Sequence, residues 1–402
     1  MSSTSKRIGI YVHIPFCASR CAYCDFCSTA DRRDLIPAYQ EALLQHMEEF
    51  APRLEGYTVD TVYFGGGTPS WYGAKQLVKL FDAMKKQFRV LVDAEVTLEA
   101  NPDSVEEKEL SLLRKEGFNR ISLGAQSAND AILRFLGRRH NWEQVPRAVE
   151  AARSAGFDNI SLDLIYGLPA QSRDDWADTL SRALALKVRH LSCYGLKVEE
   201  GTPLWQYRNS PNLPDDDTQA DMYLYAVDTL SGAGYSQYEI SNFAQRGFAS
   251  RHNLKYWNQE EYAAFGASAA SYMGSRRYTY LPDTEAYIRA IRSGEELVSE
   301  LEELSLYEQA SEYLMLKMRT THGVSAEEYE SRYHNSFTPL QELFQDYVRH
   351  GLAKQVDSRW RFTPQGFLLS NRLIGELLDA QAEQKFHTGM PWRKEDYYTT
   401  LF

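Results

Sequence analysis

Residues 11–27 read YVHIPFCASRCAYCDFC, and the rest of the chain is best interpreted from this stretch. Four of the five cysteines lie in its last eleven residues, and Cys17, Cys21 and Cys24 follow the spacing C-x3-C-x2-C. Closely spaced cysteine thiolates hold iron–sulfur clusters. Three thiolates can ligate three irons of a cubane cluster and leave the fourth iron open to a small molecule. The stretch therefore predicts a 4Fe-4S cluster with one open iron.

Zinc and disulfides are the other uses of cysteine that this pattern must be weighed against. Structural zinc takes four ligands, commonly as two pairs, and Cys17, Cys21, Cys24 and Cys27 could supply four. However, no second group of cysteine or histidine lies at the spacing of a zinc finger. Disulfides are disfavoured because the sequence shows no secretory signal. The iron–sulfur interpretation is favoured.

Length and charge limit the class of protein. A chain of 402 residues has room for about two or three domains. Its net charge of −11 argues against a nucleic-acid groove. The sequence contains no run of eighteen apolar residues, so no transmembrane helix is predicted. We expect a cytoplasmic protein without a nucleic-acid partner, which could associate loosely with a membrane through other proteins.

Strand and helix patterns alternate along the first half of the chain. Helical periodicity between the strands is clear over 36–50, 106–116, 142–154 and 174–186. Such βα units predict an α/β protein with a parallel sheet, and six units are too few for a closed eight-stranded barrel. We predict an open, partial (β/α)6 barrel with its site at the carboxyl ends of the strands. The predicted strands are 8–13, 61–65, 95–100, 120–124, 159–165 and 190–195.

Unusual residues cluster where these strands end. In the run GGGTP, glycines allow a ligand to approach the backbone and its free N–H groups. Taken alone, the run is more typical of a turn in which Pro69 starts a helix, but beside the cysteine motif a ligand site is favoured. A charge inside an apolar strand is costly unless it is paired or binds something. For Asp163, a structural ion pair with Arg138 is the alternative to a ligand. The candidates are Gly66, Gly67, Thr68, Glu99, Gln126, Arg138 and Asp163.

A second dense stretch, RHNLKYWN, covers residues 251–258. Histidine is a common axial ligand of haem iron, and aromatic rings stack on porphyrin faces. Taken alone, His252 beside Tyr256 and Trp257 is more typical of a hydrogen-bonded core histidine. The stretch becomes informative only together with the cysteine motif.

The character of the chain changes near residue 304. Two amphipathic helices, a hairpin over 352–362 and a helix from Pro364 to about residue 378 predict an α+β domain that is partly winged-helix-like. The acidic charge balance favours packing or partner docking over DNA binding. We predict three regions, 1–240, 241–303 (a link) and 304–402. We expect the aromatic tail with Phe386, Met390, Trp392, Tyr397 and Tyr398 to pack against the body.

The cysteine motif resembles that of the radical S-adenosylmethionine (SAM) superfamily, which also implies the partial barrel. In that superfamily the open iron binds the amino and carboxylate groups of SAM, and an electron from the cluster cleaves SAM to a 5′-deoxyadenosyl radical. The glycine run contacts the methionyl part. The resemblance implies that SAM is surrounded by Tyr11, Tyr23, Gly66, Gly67, Thr68, Glu99, Gln126, Arg138, Asp163 and Gly195.

Nearly the whole chain resembles haem chaperones of the HemW type. The similar segments are YVHIPFC at 11–17, the CDF that begins at Cys24, the glycine run and HNxxYW at 252–257. The resemblance implies that His252, Asn253, Tyr256 and Trp257 form a haem site. It also implies haem as cargo, apo-haemoproteins as acceptors and an electron donor for the cluster; a homodimer is compatible with it.

Two enzymes are the alternatives to a chaperone. Oxygen-independent coproporphyrinogen III dehydrogenases carry an N-terminal arm and a fourth cysteine, whereas here sixteen residues precede Cys17 and Phe26 occupies that fourth position. A radical SAM methyltransferase would give no reason for HNxxYW. We expect no coproporphyrinogen dehydrogenase activity and at most SAM cleavage, with no catalytic residue identified. Cys27 should not ligate the cluster, and Cys193 should be a core residue.

Overall fold

The computed structural model describes residues 5–387, with side chains as far as residue 383. The expected packing of the aromatic tail concerns side chains outside this part of the chain. Strands are numbered in chain order as β1 (Lys6–Ile14), β2 (Phe16–Cys17), β3 (Thr29–Ala30), β4 (Tyr57–Gly66), β5 (Val90–Ala100), β6 (Arg120–Gln126), β7 (Asn159–Tyr166), β8 (His190–Gly195), β9 (Ser236–Gln237), β10 (Asn242–Ala244), β11 (Tyr262–Phe265), β12 (Ala270–Met273), β13 (Arg276–Tyr280), β14 (Val298–Glu303), β15 (Val324–Ser325), β16 (Ala353–Val356) and β17 (Arg359–Phe362).

Helices follow most of these strands. They are α1 (Ile36–Phe50), α2 (Pro69–Tyr72), α3 (Ala74–Gln87), α4 (Glu107–Glu116), α5 (Asp130–Phe135), α6 (Gln144–Ser154), α7 (Arg173–Ala185), α8 (Asp216–Gly232), α9 (Arg251–Trp257), α10 (Thr284–Ser293), α11 (Leu306–Lys317), α12 (Ala326–Tyr333), α13 (Thr338–Arg349), α14 (Pro364–Leu368) and α15 (Ser370–His387). Short 3-10 helices cover Arg33–Leu35, Ala51–Leu54, Pro102–Ser104 and Pro203–Tyr207.

A twelve-stranded sheet forms the main body, in the order β14-β13-β12-β11-β1-β4-β5-β6-β7-β8-β10-β9. The strands from β11 through β8 are parallel to their neighbours. Its outermost strands, β14 and β9, are not neighbours, so the barrel is open. The six predicted strands correspond to β1, β4, β5, β6, β7 and β8, which confirms the partial (β/α)6 barrel.

The strands are parallel because the helices between them cover the outer face of the sheet. On α3, the apolar residues Leu77, Leu80, Phe81 and Met84 are buried, as their helical spacing predicts. Burying a side chain of this size contributes roughly 1.5–3 kcal/mol. All seven residues of β6 are buried, the pattern of a strand covered on both sides.

The region predicted as a link, residues 241–303, contributes directly to this body. Strand β11 pairs with β1 in parallel, and β12, β13 and β14 extend the sheet in antiparallel fashion. Helix α9 precedes β11, and its backbone is bonded to the barrel strand β5. Residues 251–303 therefore close one edge and one end of the barrel.

The C-terminal part has the expected winged-helix-like order. Helix α11 is followed by β15, α12, α13 and the β16–β17 hairpin, and β15 joins the hairpin in a three-stranded sheet. Helix α12 was not predicted, because its buried stripe consists of tyrosines among charged residues. The single helix expected after Pro364 is divided into α14 and α15 at Leu369.

Within residues 5–387, none of the helices combines the length and the apolarity needed to cross a membrane.

Candidate functional site

The cysteine loop lies over the carboxyl ends of the barrel strands. Cys17 ends β2 directly after β1, and Thr68 Oγ1 donates to its sulfur at 3.5 Å. Arg138 Nη1 donates to Cys21 Sγ at 3.6 Å. The backbone N–H of Ala22 donates to Leu136 O at 2.9 Å. The loop is therefore fixed to the ends of β4 and β6 through side chains that the sequence had singled out.

The donor set suits an iron–sulfur cluster. Among the described residues, no three His, Cys, Asp or Glu side chains converge closely enough to hold one ion. A cubane places its irons at separate corners, so its thiolates need not converge on one point. Burial raises the pKa of Cys17 and of Cys24. Soft thiol donors at a half-buried opening are suited to iron–sulfur chemistry.

A cavity of about 410 Å³ extends from these cysteines into the barrel. Pockets for small molecules span roughly 300–1,000 Å³. Of the residues predicted for the cluster and SAM, Tyr11 alone does not line this cavity. The predicted residues in its lining are Cys17, Cys21, Cys24, Tyr23, Gly66, Gly67, Thr68, Glu99, Gln126, Arg138, Asp163 and Gly195.

The glycine run is a close-packed cradle, but its N–H groups are not free. A Cβ on Gly66 would lie 2.7 Å from the His13 ring, and one on Gly67 would lie 2.9 Å from Cys17 Sγ. The Gly66 N–H donates to Glu99, and those of Gly67 and Thr68 donate to backbone carbonyls. The expectation of free N–H donors was therefore wrong: the glycines serve close approach, and their amides fix the loop.

Glu99 lies at the end of β5 with both carboxylate oxygens in use. Tyr63 Oη donates to its Oε1 at 2.8 Å, and Gly66 N donates to its Oε2 at 3.1 Å. Burial raises the pKa of Glu99 to about 7, although both hydrogen bonds oppose the rise. A carboxyl group with a pKa near 7 is partly protonated at neutral pH. A bound ammonium group would favour its ionised form, because the positive charge would offset the cost of burying the carboxylate.

Asp163 and Arg138 do not form the alternative ion pair. Asp163 accepts hydrogen bonds from the serines of neighbouring strands, with Ser192 Oγ at 2.7 Å and Ser122 Oγ at 2.9 Å. Arg138 Nη2 donates to Asn101 Oδ1 and to Gly124 O, each at 2.7 Å. Burial raises the pKa of Asp163. The Arg138 Nε is buried without a partner among the described residues, and Asp163 Oδ2 accepts only from Ser122 there, so each group keeps capacity for a ligand.

The other predicted SAM residues take different positions. Gln126 ends β6 with a positive φ of 63°, so the strand turns sharply there. Gly195 is exposed, and a Cβ on it would lie 2.9 Å from Tyr166 Oη. Tyr23 borders the cavity beside Arg138, and burial raises its pKa. Tyr11 stacks on Tyr63 and thus supports the wall of the cavity from behind.

The HNxxYW segment forms the floor of the barrel. Helix α9 places His252 in the interior with 0% exposure. Its Nδ1 is 2.9 Å from Thr61 Oγ1 and its Nε2 is 2.8 Å from Tyr256 Oη. Burial lowers the pKa of His252 to about 3, with nearby Lys255 contributing, so the ring is neutral. Both ring nitrogens are engaged within the protein.

Of the four residues predicted for haem, Asn253 lines the cavity. The side chains of His252 and Tyr256 are hydrogen-bonded to each other and support the floor. Trp257 is half-buried at the end of α9 and lies outside the cavity lining. The structure therefore brings one residue of this segment to the cluster and SAM residues and separates the other three from them.

The remaining cysteines point away from the cavity. Cys27 Sγ donates to Pro282 O at 3.0 Å, and Cys27 is not part of the cavity lining. Cys193 is 2% exposed in β8 and belongs to the core. The position of Cys193 is that of a core residue, and the role of Cys27 stays a prediction.

Sequence reasoning missed several residues of the cavity. Asn101 holds Arg138, and Ser122 and Ser192 hold Asp163. Arg120 borders the cavity from the start of β6 although it is 1% exposed. A charge that opens a strand buried along its entire length was the signal that could have identified it.

Comparison with known proteins agrees with this geometry. The family model of the radical SAM superfamily matches residues 11–183, and that of the HemN C-terminal domain matches residues 304–369. Coproporphyrinogen III oxidase (HemN) from Escherichia coli, a radical SAM enzyme, has a similar fold with a TM-score of 0.81 at 23% identity, over 94% of this chain and 91% of that chain. At this identity the likeness shows the fold alone.

Curated relatives align over almost the full chain. The haem chaperone HemW of Lactococcus lactis subsp. lactis (strain IL1403) is 38% identical over 93% of this chain and 98% of its own. HemW of Bacillus subtilis (strain 168) is 35% identical over 92% and 98%, respectively. HemW of Escherichia coli (strain K12) is 31% identical over 91% and 97%. The chain belongs to the haem chaperone HemW family.

Proposed function

We propose that the protein is a haem chaperone that carries a 4Fe-4S cluster with SAM, binds haem and transfers it to apo-haemoproteins. The observation that carries the proposal is the shared cavity: the three motif cysteines, nine of the ten predicted SAM residues and Asn253 of the HNxxYW segment line one space. The family of the chain supports haem as the cargo.

Each group of residues has a distinct task in this proposal. Cys17, Cys21 and Cys24 ligate the cluster, which when bound supplies an open iron and an electron. Glu99, beside the glycine cradle, accepts the ammonium group of SAM. Asp163 Oδ2, which accepts only from Ser122 among the described residues, has a lone pair for a ribose hydroxyl, while Oδ1 already accepts from serines. Glu99 and Asp163 would thus orient SAM, and a separate electron donor would reduce the cluster.

Within HNxxYW, Asn253 is better placed than His252 to contact haem first. His252 would have to break hydrogen bonds to Thr61 and Tyr256 before either nitrogen could ligate iron. Asn253 already reaches the cavity. We propose that haem contacts the segment first through Asn253, and that His252 becomes a ligand only when α9 moves. Self-association into a homodimer would be one way to present haem to an acceptor.

An anaerobic haem titration of reconstituted protein tests the proposal. We expect saturable binding near one haem per chain in the Soret region, weakened in Asn253→Ala and unchanged in the exposed control Asn209→Ala. Absence of saturable binding by wild type would overturn the haem chaperone and favour an enzyme. His252→Ala needs thermal unfolding in parallel, because it removes a buried hydrogen-bonded ring.

Two further measurements separate the chaperone from the enzymes. We expect no decarboxylation of coproporphyrinogen III by reconstituted protein with SAM and a reductant. We also expect haem-loaded protein to restore the spectrum of an apo-haemoprotein faster than buffer with the same free haem. Decarboxylation without transfer would identify the dehydrogenase instead.

A further inference from the structure

Arg120 is a buried cation with two guanidinium nitrogens unpartnered among the described residues. It is 1% exposed at the start of β6, and its side chain borders the cavity. Its Nε and Nη1 are buried and make no hydrogen bond within the described part of the chain. On the adjacent strand, Thr97 pairs in register with Arg120, and its hydroxyl is also buried without a partner. Burying polar groups and charges in this state is costly unless something else binds them.

The neighbouring carboxylates do not supply the missing partner. Glu95, Asp163 and Glu99 are acidic residues whose charges act on Arg120, and no ion pair among the described residues joins any of them to it. Glu95 accepts the backbone N–H groups of Arg251 and His252, at 3.0 and 2.9 Å. Asp163 is held by serines, and Glu99 by Tyr63 and Gly66. All three acids thus accept from other donors.

Asn253 supplies a second unused polar group at the same end of the cavity. Its backbone N–H donates to Ser250 Oγ at 3.3 Å, which fixes the start of α9. Its side-chain amide makes no hydrogen bond to the described residues, and Asn253 lines the cavity together with Arg120. A guanidinium and an amide that face one space offer N–H donors for a carboxylate.

We propose that Arg120 and Asn253 form a carboxylate subsite at the floor of the cavity. This inference rests on the proposed function, which supplies two ligands with carboxylates: haem through its propionates, and SAM through its methionyl group. The position favours a propionate. Arg120 lies six residues before Gln126 on β6, or roughly 20 Å of extended strand, whereas the cysteines that would hold the open iron lie above the opposite end.

The test uses reconstituted protein with cluster and SAM, in wild-type and Arg120→Met forms. Haem and haem dimethyl ester, in which both propionates are blocked, are titrated separately, and SAM binding is measured by calorimetry. Arg139→Met, which removes an arginine with 58% side-chain exposure, is the matched control. We expect Arg120→Met to weaken haem binding at least tenfold, with no more than a twofold change for the ester and for SAM.

Thermal unfolding of the ligand-free variant shows whether it still folds. Methionine leaves the buried carboxylates of Glu95 and Asp163 without this cation, so we expect a lower melting temperature with a cooperative transition. Equal losses of affinity for haem and for its ester would overturn the subsite. Asn253→Ala, which removes the second donor without touching the strand, should also discriminate between haem and its ester.

The remaining outcomes are equally informative. Weaker SAM binding with unchanged haem binding would assign the subsite to the SAM carboxylate. Unchanged affinity for haem and for SAM in Arg120→Met would overturn the inference while leaving the chaperone intact. If wild type binds no haem, the proposed function fails, and the SAM titration alone decides the subsite.

Discussion

The two ends of the barrel use polar residues in opposite ways. At the cysteine end, Phe26 is 68% exposed and Tyr194 is 40% exposed, and Arg138 and Asp163 retain unfilled hydrogen-bonding capacity. At the floor, His252 and Lys255 are at most 2% exposed and bonded to partners inside the protein. The upper end is open to solvent, while at the floor His252 and Lys255 form a paired network beside Arg120, whose Nε and Nη1 have no hydrogen-bond partner among the described residues.

The difference teaches how to interpret a polar motif. GGGTP and HNxxYW look equally functional in the sequence, yet the first borders the cavity, whereas the second mainly supports it. Buried polar groups that are fully paired stabilise one arrangement. Those left unpaired beside a cavity among the described residues, such as Arg138 Nε and Arg120 Nε, are the candidates for ligand contacts.

The largest expected effect is loss of the cluster at the open end. Cys17→Ala, Cys21→Ala or Cys24→Ala should each abolish it, because three thiolates are its protein ligands. Cys27→Ala is the control within the same loop and should retain it, since this sulfur points to Pro282. Iron and sulfide content after anaerobic reconstitution measures both. Cluster loss in the Cys27 variant would contradict the three-ligand assignment.

A floor residue should affect stability rather than the cluster. The Lys255 side chain is 3% exposed, and its Nζ lies 2.9 Å from Asp60 Oδ1. Removing one partner of a buried pair costs about 3–5 kcal/mol, so Lys255→Met should lower the free energy of unfolding by this amount in urea titrations. Arg147→Met, from a surface pair with Glu143, should cost less than about 1 kcal/mol. Equal losses of unfolding free energy in the two variants would show that the buried Lys255 pair stabilises the protein no more than a surface pair does.

Glu99 predicts a pH dependence at the open end. Its folded pKa is about 7, against an ordinary value of 4.5, so the folded protein binds the proton more tightly than the unfolded chain. Stability from this group is therefore present below about pH 4.5 and is lost as the pH rises through about 7. Without SAM, wild type should lose at most about 3 kcal/mol relative to Glu99→Gln across this range.

Urea unfolding of both forms at several pH values measures this difference. Glu106→Gln, at an exposed position before α4, controls for the general effect of charge removal. A wild-type curve parallel to that of Glu99→Gln would show that Glu99 stays ionised in the folded protein.

The smallest effect concerns ligand affinity without loss of structure. Asp163→Ala should weaken SAM binding roughly tenfold, or about 1.4 kcal/mol, while iron content stays unchanged. Asp158→Ala, a surface carboxylate with 69% side-chain exposure, should bind SAM like wild type. Calorimetric titration decides between them. Retained affinity in Asp163→Ala would place this carboxylate with the supporting network rather than with the ligand contacts.

Much of the architecture could be predicted because it depends on local patterns. Alternating strands and amphipathic helices indicate a parallel sheet, and the predicted range 36–50 coincides with α1. The tyrosine-lined α12 gave weak periodicity and was missed. The edge strands β12–β14 could not be assigned to the sheet, because pairing partners are not encoded in one strand.

The sequence by itself determined the cluster motif, the barrel class and the residues at the strand ends, because these follow from spacing and periodicity over a few residues. The tertiary structure alone decided which polar groups are already satisfied. His252 meets Thr61 across 191 positions, Glu95 meets the start of α9 across more than 150, and Arg120 Nε and Nη1 meet no hydrogen-bond partner in residues 5–387. Hydrogen-bond satisfaction depends on contacts between distant segments, and no local pattern records them.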